Sequence, residues 1–140
     1  MNTYSIYDEE YTNSFSYQNF LEENPSEGKL RIRAYAASEA VPIKGLKIVI
    51  SKIIDNNNVI FFEGYTDESG LIEEISLPAP ALNIDNLIKP LKTTYDIKAS
   101  YLPDNIMQTY SVNIYENICV IQNIIIVPES NIETREFNGY

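Results

Sequence analysis

The feature that most restricts this chain is a series of short alternating segments, each closed by turn residues, between residues 29 and 128. Lys29-Leu-Arg-Ile-Arg-Ala-Tyr35 sets the pattern. Leu30, Ile32 and Ala34 fall on one side of an extended backbone, and Lys29, Arg31, Arg33 and Tyr35 on the other. Successive side chains of a strand point to opposite faces, so this is a half-buried strand with a cationic outer face. A turn at Val41-Pro-Ile-Lys-Gly45 leads to a second strand over 46–54, with Leu46, Ile48 and Ile50 inward. Asp55-Asn-Asn-Asn58 reads as a hairpin turn, because Asn tolerates left-handed backbone and Asp and Asn side chains cap their own main chain. Strands over 59–65 and 71–77 follow, joined by Thr66-Asp-Glu-Ser-Gly70, where Asp67 accepts backbone N–H bonds and Gly70 takes positive φ. Pro78 and Pro80 are expected to close that strand, since neither donates to a ladder.

Residues 81–93 form the one long connection, whose Leu82, Ile84, Leu87, Ile88 and Leu91 suit the open end of a core. Strands over 94–100, 106–115 and 118–127 complete the series, the last two joined across Glu116-Asn117 and stopped by Pro128. Cys119 sits between Ile118 and Val120 and reads as a small buried hydrophobe or, if it faces outward, as a thiol for an intermolecular disulfide. Seven short strands in about 100 residues predict an all-β fold, an antiparallel seven-stranded β-sandwich. The organisation is then an N-terminal arm (1–28), the sandwich (29–128) and a polar tail (129–140).

The arm has its own character. Tyr4, Tyr7, Tyr11, Phe15, Tyr17 and Phe20 are set among Ser, Thr, Asn and acids, with few aliphatics. The spacing 4, 7, 11, 15 places four aromatics on one helix face, yet the intervening residues are poor helix formers, so helix, extended strand and solvated tail all stay open. Residues 16–23 suit a short helix ended before Pro25. Tyr is favoured at interfaces, and these rings need a second surface to cover them.

Composition removes several function classes. The chain has no His, no Trp and a single Cys, which excludes His acid–base chemistry, His/Cys metal sites and an intrachain disulfide; no cofactor is expected. Twenty acids stand against ten bases, a formal charge of -10. Nucleic acid and anionic membranes call for a basic footprint and are disfavoured as partners. Residues 1–28 carry six acids and no base, residues 29–101 are balanced, and residues 102–140 are acidic again. No apolar run approaches the length of a membrane helix, so membrane insertion is not expected, and the N-terminus lacks the basic and apolar regions of a secretory signal. Asp67 and Glu68 do not have calcium-loop spacing, adjacent Glu73 and Glu74 on a strand point to opposite faces, and no Gly-x-Ser-x-Gly is present. The expectation is a protein without enzymatic activity.

Gly28-Lys-Leu-Arg-Ile-Arg-Ala34, Val41-Pro-Ile-Lys-Gly-Leu-Lys-Ile-Val-Ile50, Thr66-Asp-Glu-Ser-Gly70 and Leu77-Pro-Ala-Pro80 occur in that order, followed by Thr94-Tyr-Asp-Ile-Lys-Ala-Ser100 and Val120-Ile-Gln-Asn-Ile-Ile-Ile-Val-Pro128. This set resembles carboxypeptidase regulatory-like, transthyretin-like domains, of the kind found in spore-associated and cortex-lytic precursor proteins of anaerobic spore-forming bacteria. Relatives of that kind often carry Gly-Tyr-x-Pro after the fifth strand, where this chain has Ser100-Tyr-Leu-Pro103. The resemblance implies a transthyretin-like (Ig-like) sandwich and a place in spore layers. A protein made in the cytoplasm would reach the spore surface after mother-cell lysis.

Two functional expectations follow. The first is a structural protein whose partner is itself: the arm, through Tyr4, Tyr7, Tyr11, Phe15, Tyr17 and Phe20, docks on a neighbouring copy as a donor strand, its acids meeting Lys29, Arg31 and Arg33, and builds a fibre or layer. The second is an accessory module for a spore-layer glycan, with Tyr95, Tyr101, Tyr110 and Tyr115 as stacking platforms. Lys29, Lys47, Asn113 and Asn123 are the residue types of Lys–Asn isopeptide bonds, a minor expectation.

Overall fold

The structure, a computed structural model, describes residues 1–37, 40–82 and 91–127. The arm supplies β1 (Thr3–Ser5), α1 (Glu9–Thr12) and α2 (Phe15–Glu23). The body supplies β2 (Ser26–Ala36), β3 (Lys47–Ile54), β4 (Asn57–Tyr65), β5 (Leu71–Ala79), β6 (Thr93–Tyr101), β7 (Ile106–Ile114) and β8 (Cys119–Ile126), with a 3-10 turn at Leu102–Asp104. The expected sandwich is present. A five-stranded sheet in the order β1-β4-β3-β6-β7 faces a three-stranded sheet in the order β5-β2-β8.

Most pairings are antiparallel, but β2 pairs with β8, and β1 with β4, in parallel. The local hairpin signals of the sequence describe neighbours along the chain; the β2 partner comes from the other end and runs the same way. β5 also departs from expectation by continuing through Pro78. Among the described residues it is an edge strand bordered by β2 alone, so the missing N–H is tolerated there, and the Pro78 carbonyl accepts the Tyr95 hydroxyl at 2.6 Å. The β3–β4 turn is tighter than expected: Asp55 and Asn56, both at positive φ, make a two-residue hairpin. Ile84, Leu87 and Ile88 of the long connection, and the tail 128–140, lie outside the described residues.

The core lies between the sheets. Leu30, Ile32, Leu77 and Ile124 of the small sheet meet Ile48, Ile50, Phe61, Tyr95, Ile97 and Ile114 of the large one. β2 begins at Ser26 instead of Lys29 and carries Gly28 in its interior. The position has no room for a side chain: a Cβ there would lie 2.3 Å from the Tyr115 carbonyl oxygen and 2.6 Å from Ile114 Cγ2.

Candidate functional site

The arm is not free. Asn58 N–H donates to the Asn2 carbonyl (2.8 Å) and Ile6 N–H to the Ile60 carbonyl (3.0 Å), so β1 adds a strand to the β4 edge of the same chain. The two helices are started by side-chain caps: Asp8 Oδ1 accepts from Glu10 N–H, and Ser14 Oγ from Tyr17 N–H. They turn Tyr11, Tyr17 and Phe20 into the open end of the sandwich. Tyr4 stacks on Tyr11 (4.8 Å between ring centroids), Tyr11 meets Tyr17 (5.5 Å), and Phe20 meets Phe61 (5.6 Å), which meets Tyr95 edge-on (5.1 Å). Burial pushes the Tyr11, Tyr17 and Tyr95 phenols upward, so these rings are neutral, apolar filling.

Within one chain, the inner rings of the arm are already covered. Tyr11, Tyr17 and Phe20 find their cover on the body of their own chain, because its Phe61 and Tyr95 offer rings at the place where the arm enters β2. The arm also lies on β4, in the other sheet from Lys29, Arg31 and Arg33. What stays outside is Tyr7 and Phe15, 69% and 85% exposed, with the exposed carboxylates of Asp8, Glu9 and Glu10. None of these three acids has a cation within 4.0 Å among the described residues.

On the small sheet, Lys29, Arg31, Arg33 and Tyr35 form one outward row of β2. Their register partners on β8 are Cys119, Ile121, Asn123 and Ile125. Cys119 is exposed and not a buried hydrophobe, because the odd-numbered residues of β8 face out and Ile124 and Ile126 face the core. Lys29 pairs with Glu27 (2.9 Å) and Glu74 (3.5 Å) and donates to Ser76 Oγ (2.6 Å); the Glu27 hydrogen bond leads in holding its ammonium charged. Arg31 donates Nε–H to the Glu73 carbonyl (3.3 Å), and neither Arg31 nor Arg33 has a carboxylate partner among the described residues.

The remaining candidates are dispersed. Asp67 Oδ1 accepts from the N–H groups of Ser69 (2.8 Å) and Leu71 (3.0 Å), and Gly70 has φ of +74°, so this segment is occupied in making its own turn. Pro80 is buried. Tyr95 is fully buried and unavailable to a glycan, while Tyr101, Tyr110 and Tyr115 are half-buried. Lys29 lies opposite Ser76 and Cys119, Lys47 opposite Tyr65 and Ser100, Asn113 opposite Thr94 and Asn123 opposite Arg33; register makes no Lys–Asn pair of them.

Two features escaped sequence reasoning. The Thr66 hydroxyl donates to the Ile43 carbonyl (2.6 Å) and accepts from Leu46 N–H (3.0 Å), locking two turns together. A shallow cleft of about 420 Å3 lies on the outer face of the large sheet, lined by Ser51, Asn58, Asp96, Lys98, Thr109 and Ser111. The hydroxyls in outward positions of adjacent strands were the available signal.

Among solved structures the chain is similar to that of Klebsiella pneumoniae 5-hydroxyisourate hydrolase. Identity is 15% and the TM-score 0.51, over 72% of this chain and 90% of that one. The fold is a transthyretin-like β-sandwich. At this identity the likeness concerns the backbone alone. No protein-family model matches the sequence, and no curated protein matches it.

Proposed function

We propose that this chain is a non-enzymatic structural protein that self-associates through its N-terminal arm into a filament or layer. The observation that carries the reading is the state of the arm. It is folded onto the β4 edge, its inner rings are spent on the core, and two further aromatics and three carboxylates stand in solvent, the carboxylates without a cation among the described residues. Large exposed rings beside unpaired charge mark a contact surface. The absence of His from the whole chain supports a non-catalytic role, and the hydrolase name of the structural neighbour is not carried over. The spore surface is the proposed location, on the strength of Thr66-Asp-Glu-Ser-Gly70 and Leu77-Pro-Ala-Pro80.

The test is sedimentation velocity over a concentration series, with electron microscopy of the concentrated protein. Wild type should form open assemblies, and Tyr7→Ser with Phe15→Ser should shift the distribution towards monomer. A wild type that stays monomeric throughout overturns the reading.

The large-sheet cleft favours a second reading, a glycan-binding accessory module. Hydroxyl, amide and charged groups spread over about 420 Å3 suit the hydrogen-bonding edge of a sugar. Retention of monomeric protein on purified spore cortex, lost in Asp96→Ala with Lys98→Ala, would support it; no retention removes it.

A further inference from the structure

We infer that the outer face of the small sheet, Arg31 and Arg33 of β2 with Ile121 and Ile125 of β8, is the receiving surface for the arm of a second copy. The contact runs head to tail. This inference rests on the proposed self-association and names its second half.

Charge complementarity selects the occupant. On a chain of net charge -10, the outward row of β2 gathers three of ten cations, and of these three only Lys29 has carboxylate partners among the described residues. Arg31 and Arg33 present planar guanidinium groups, which take carboxylates in paired hydrogen bonds. The arm offers Glu9 and Glu10 on α1, exposed and likewise without a cation among the described residues.

The apolar parts match as well. Ile121 and Ile125, 49% and 42% exposed, flank the arginines, in register with Arg31 and Tyr35. The arm brings Tyr7 and Phe15. Rings over isoleucine beside guanidinium–carboxylate pairs give an interface an apolar centre and a charged margin.

A chain does not make this contact with itself, because its arm is fixed on β4 in the opposite sheet. The arm and the receiving face are different surfaces, so a single contact leaves one copy with a free arm and the other with a free face. Repetition of one heterologous contact gives an open chain or a ring of copies.

The experiment is a charge exchange in the full chain, read by sedimentation velocity, with circular dichroism as the check on folding. Arg31→Glu with Arg33→Glu makes the receiving face acidic like the arm. Glu9→Lys with Glu10→Lys makes the arm basic like the face. Each double variant alone should need about tenfold or more protein than wild type to assemble. An equimolar mixture should co-assemble, since each arm then meets a face of opposite charge, and the quadruple variant alone should regain assembly. The milder Arg31→Gln with Arg33→Gln should weaken assembly less than the Glu pair.

Wild-type-like assembly of either folded double variant overturns the inference, as does failure of the folded pair to restore each other when mixed. Both results leave the proposed self-association standing, by arm exchange or another surface. A monomeric wild type overturns both.

Discussion

The Thr93 hydroxyl donates a hydrogen bond to the side-chain oxygen of Asn24, and both residues are buried where the arm passes into β2. Asn24 uses its amide nitrogen on the Phe20 carbonyl (2.9 Å), so one side chain ends α2 and ties it to β6. Thr93→Val keeps the shape and removes the donor, leaving the Asn24 oxygen buried and unpaired. Such a group costs about 1–3 kcal/mol. The urea midpoint should fall accordingly, and Thr93→Ser, which keeps the hydroxyl, should recover most of the loss. A neutral Thr93→Val would show that water reaches Asn24.

Gly28 and Gly64 separate two kinds of crowding. A Cβ at Gly28 would strike the Tyr115 carbonyl, which is main chain and cannot rotate away. The atoms nearest a Cβ at Gly64 belong to the Phe62 ring, 2.6 Å away at its tip, and that half-buried ring can turn. Gly28→Ala should therefore destabilise by about 1–3 kcal/mol, in the range of overpacked sites. Gly64→Ala should cost clearly less. Thermal melts of the two variants decide this, and equal losses would contradict the distinction.

The Glu116 carboxylate accepts from Leu82 N–H (2.6 Å) and the Ser26 hydroxyl (2.9 Å), joining the start of β2 and the exit of β5 to the β7–β8 turn. The Leu82 backbone bond leads in holding its pKa below the ordinary 4.5, with the Ser26 bond second. A pKa lower in the folded state gives stability that is present above 4.5 and lost as pH falls through the lowered value. Glu116→Gln should therefore be less stable than wild type at about pH 7, and the gap should close in acid as pH falls through the lowered value. An equal gap at neutral and acid pH would mean that shape, not charge, sets the contribution.

The half-buried strands were legible because alternation has a phase: Leu30, Ile32 and Ala34 are all buried, and Lys29, Arg31 and Arg33 are not. The phase was lost where the run was apolar throughout. Ile118-Cys-Val-Ile-Gln-Asn-Ile-Ile-Ile126 carries hydrophobes on both faces, so the pattern does not say which way Cys119 points, and the structure turns it out beside Ile121 and Ile125. The packing of the arm is not legible for a different reason. The spacing 4, 7, 11, 15 groups Tyr11 with Tyr7 and Phe15, yet Tyr11 is buried and those two are exposed; what separates them is the position of Phe61 and Tyr95, more than 40 residues away, which no local pattern reports. The receiving face was half visible: the β2 cations could be read directly, but not the β8 isoleucines that parallel pairing sets beside them.

Aromatics of one arm should then act in two separable ways. Phe20→Ala empties a place among Tyr17 and Phe61 and should cost about 3–5 kcal/mol, as large-to-small changes in cores do. Tyr7→Ser removes an exposed ring and should alter stability by no more than about 0.5 kcal/mol. Assembly should respond in the opposite order at temperatures where both variants are folded, with Tyr7→Ser the weaker assembler. Chemical denaturation beside sedimentation of the same samples tests this, and a Tyr7→Ser protein that assembles like wild type would remove Tyr7 from the interface.

Salt distinguishes the two components of the proposed contact. Exposed ion pairs such as Arg31 or Arg33 with Glu9 or Glu10 contribute about 0–1 kcal/mol each and are screened at about 1 M NaCl, where the Debye length is roughly 3 Å. Burial of the Tyr7 and Phe15 rings against Ile121 and Ile125, at about 25 cal/mol per Å2, is not screened and should provide the larger share. Assembly should accordingly be faster at low salt, where charge steers the encounter, yet persist at about 1 M NaCl. The same screening acts on repulsion. The deficit of Arg31→Glu with Arg33→Glu should therefore shrink towards wild type as salt rises, while that of Tyr7→Ser with Phe15→Ser should not. Complete dissociation of wild type at about 1 M NaCl, with the aromatic variants unimpaired, would show that charge alone holds the copies together.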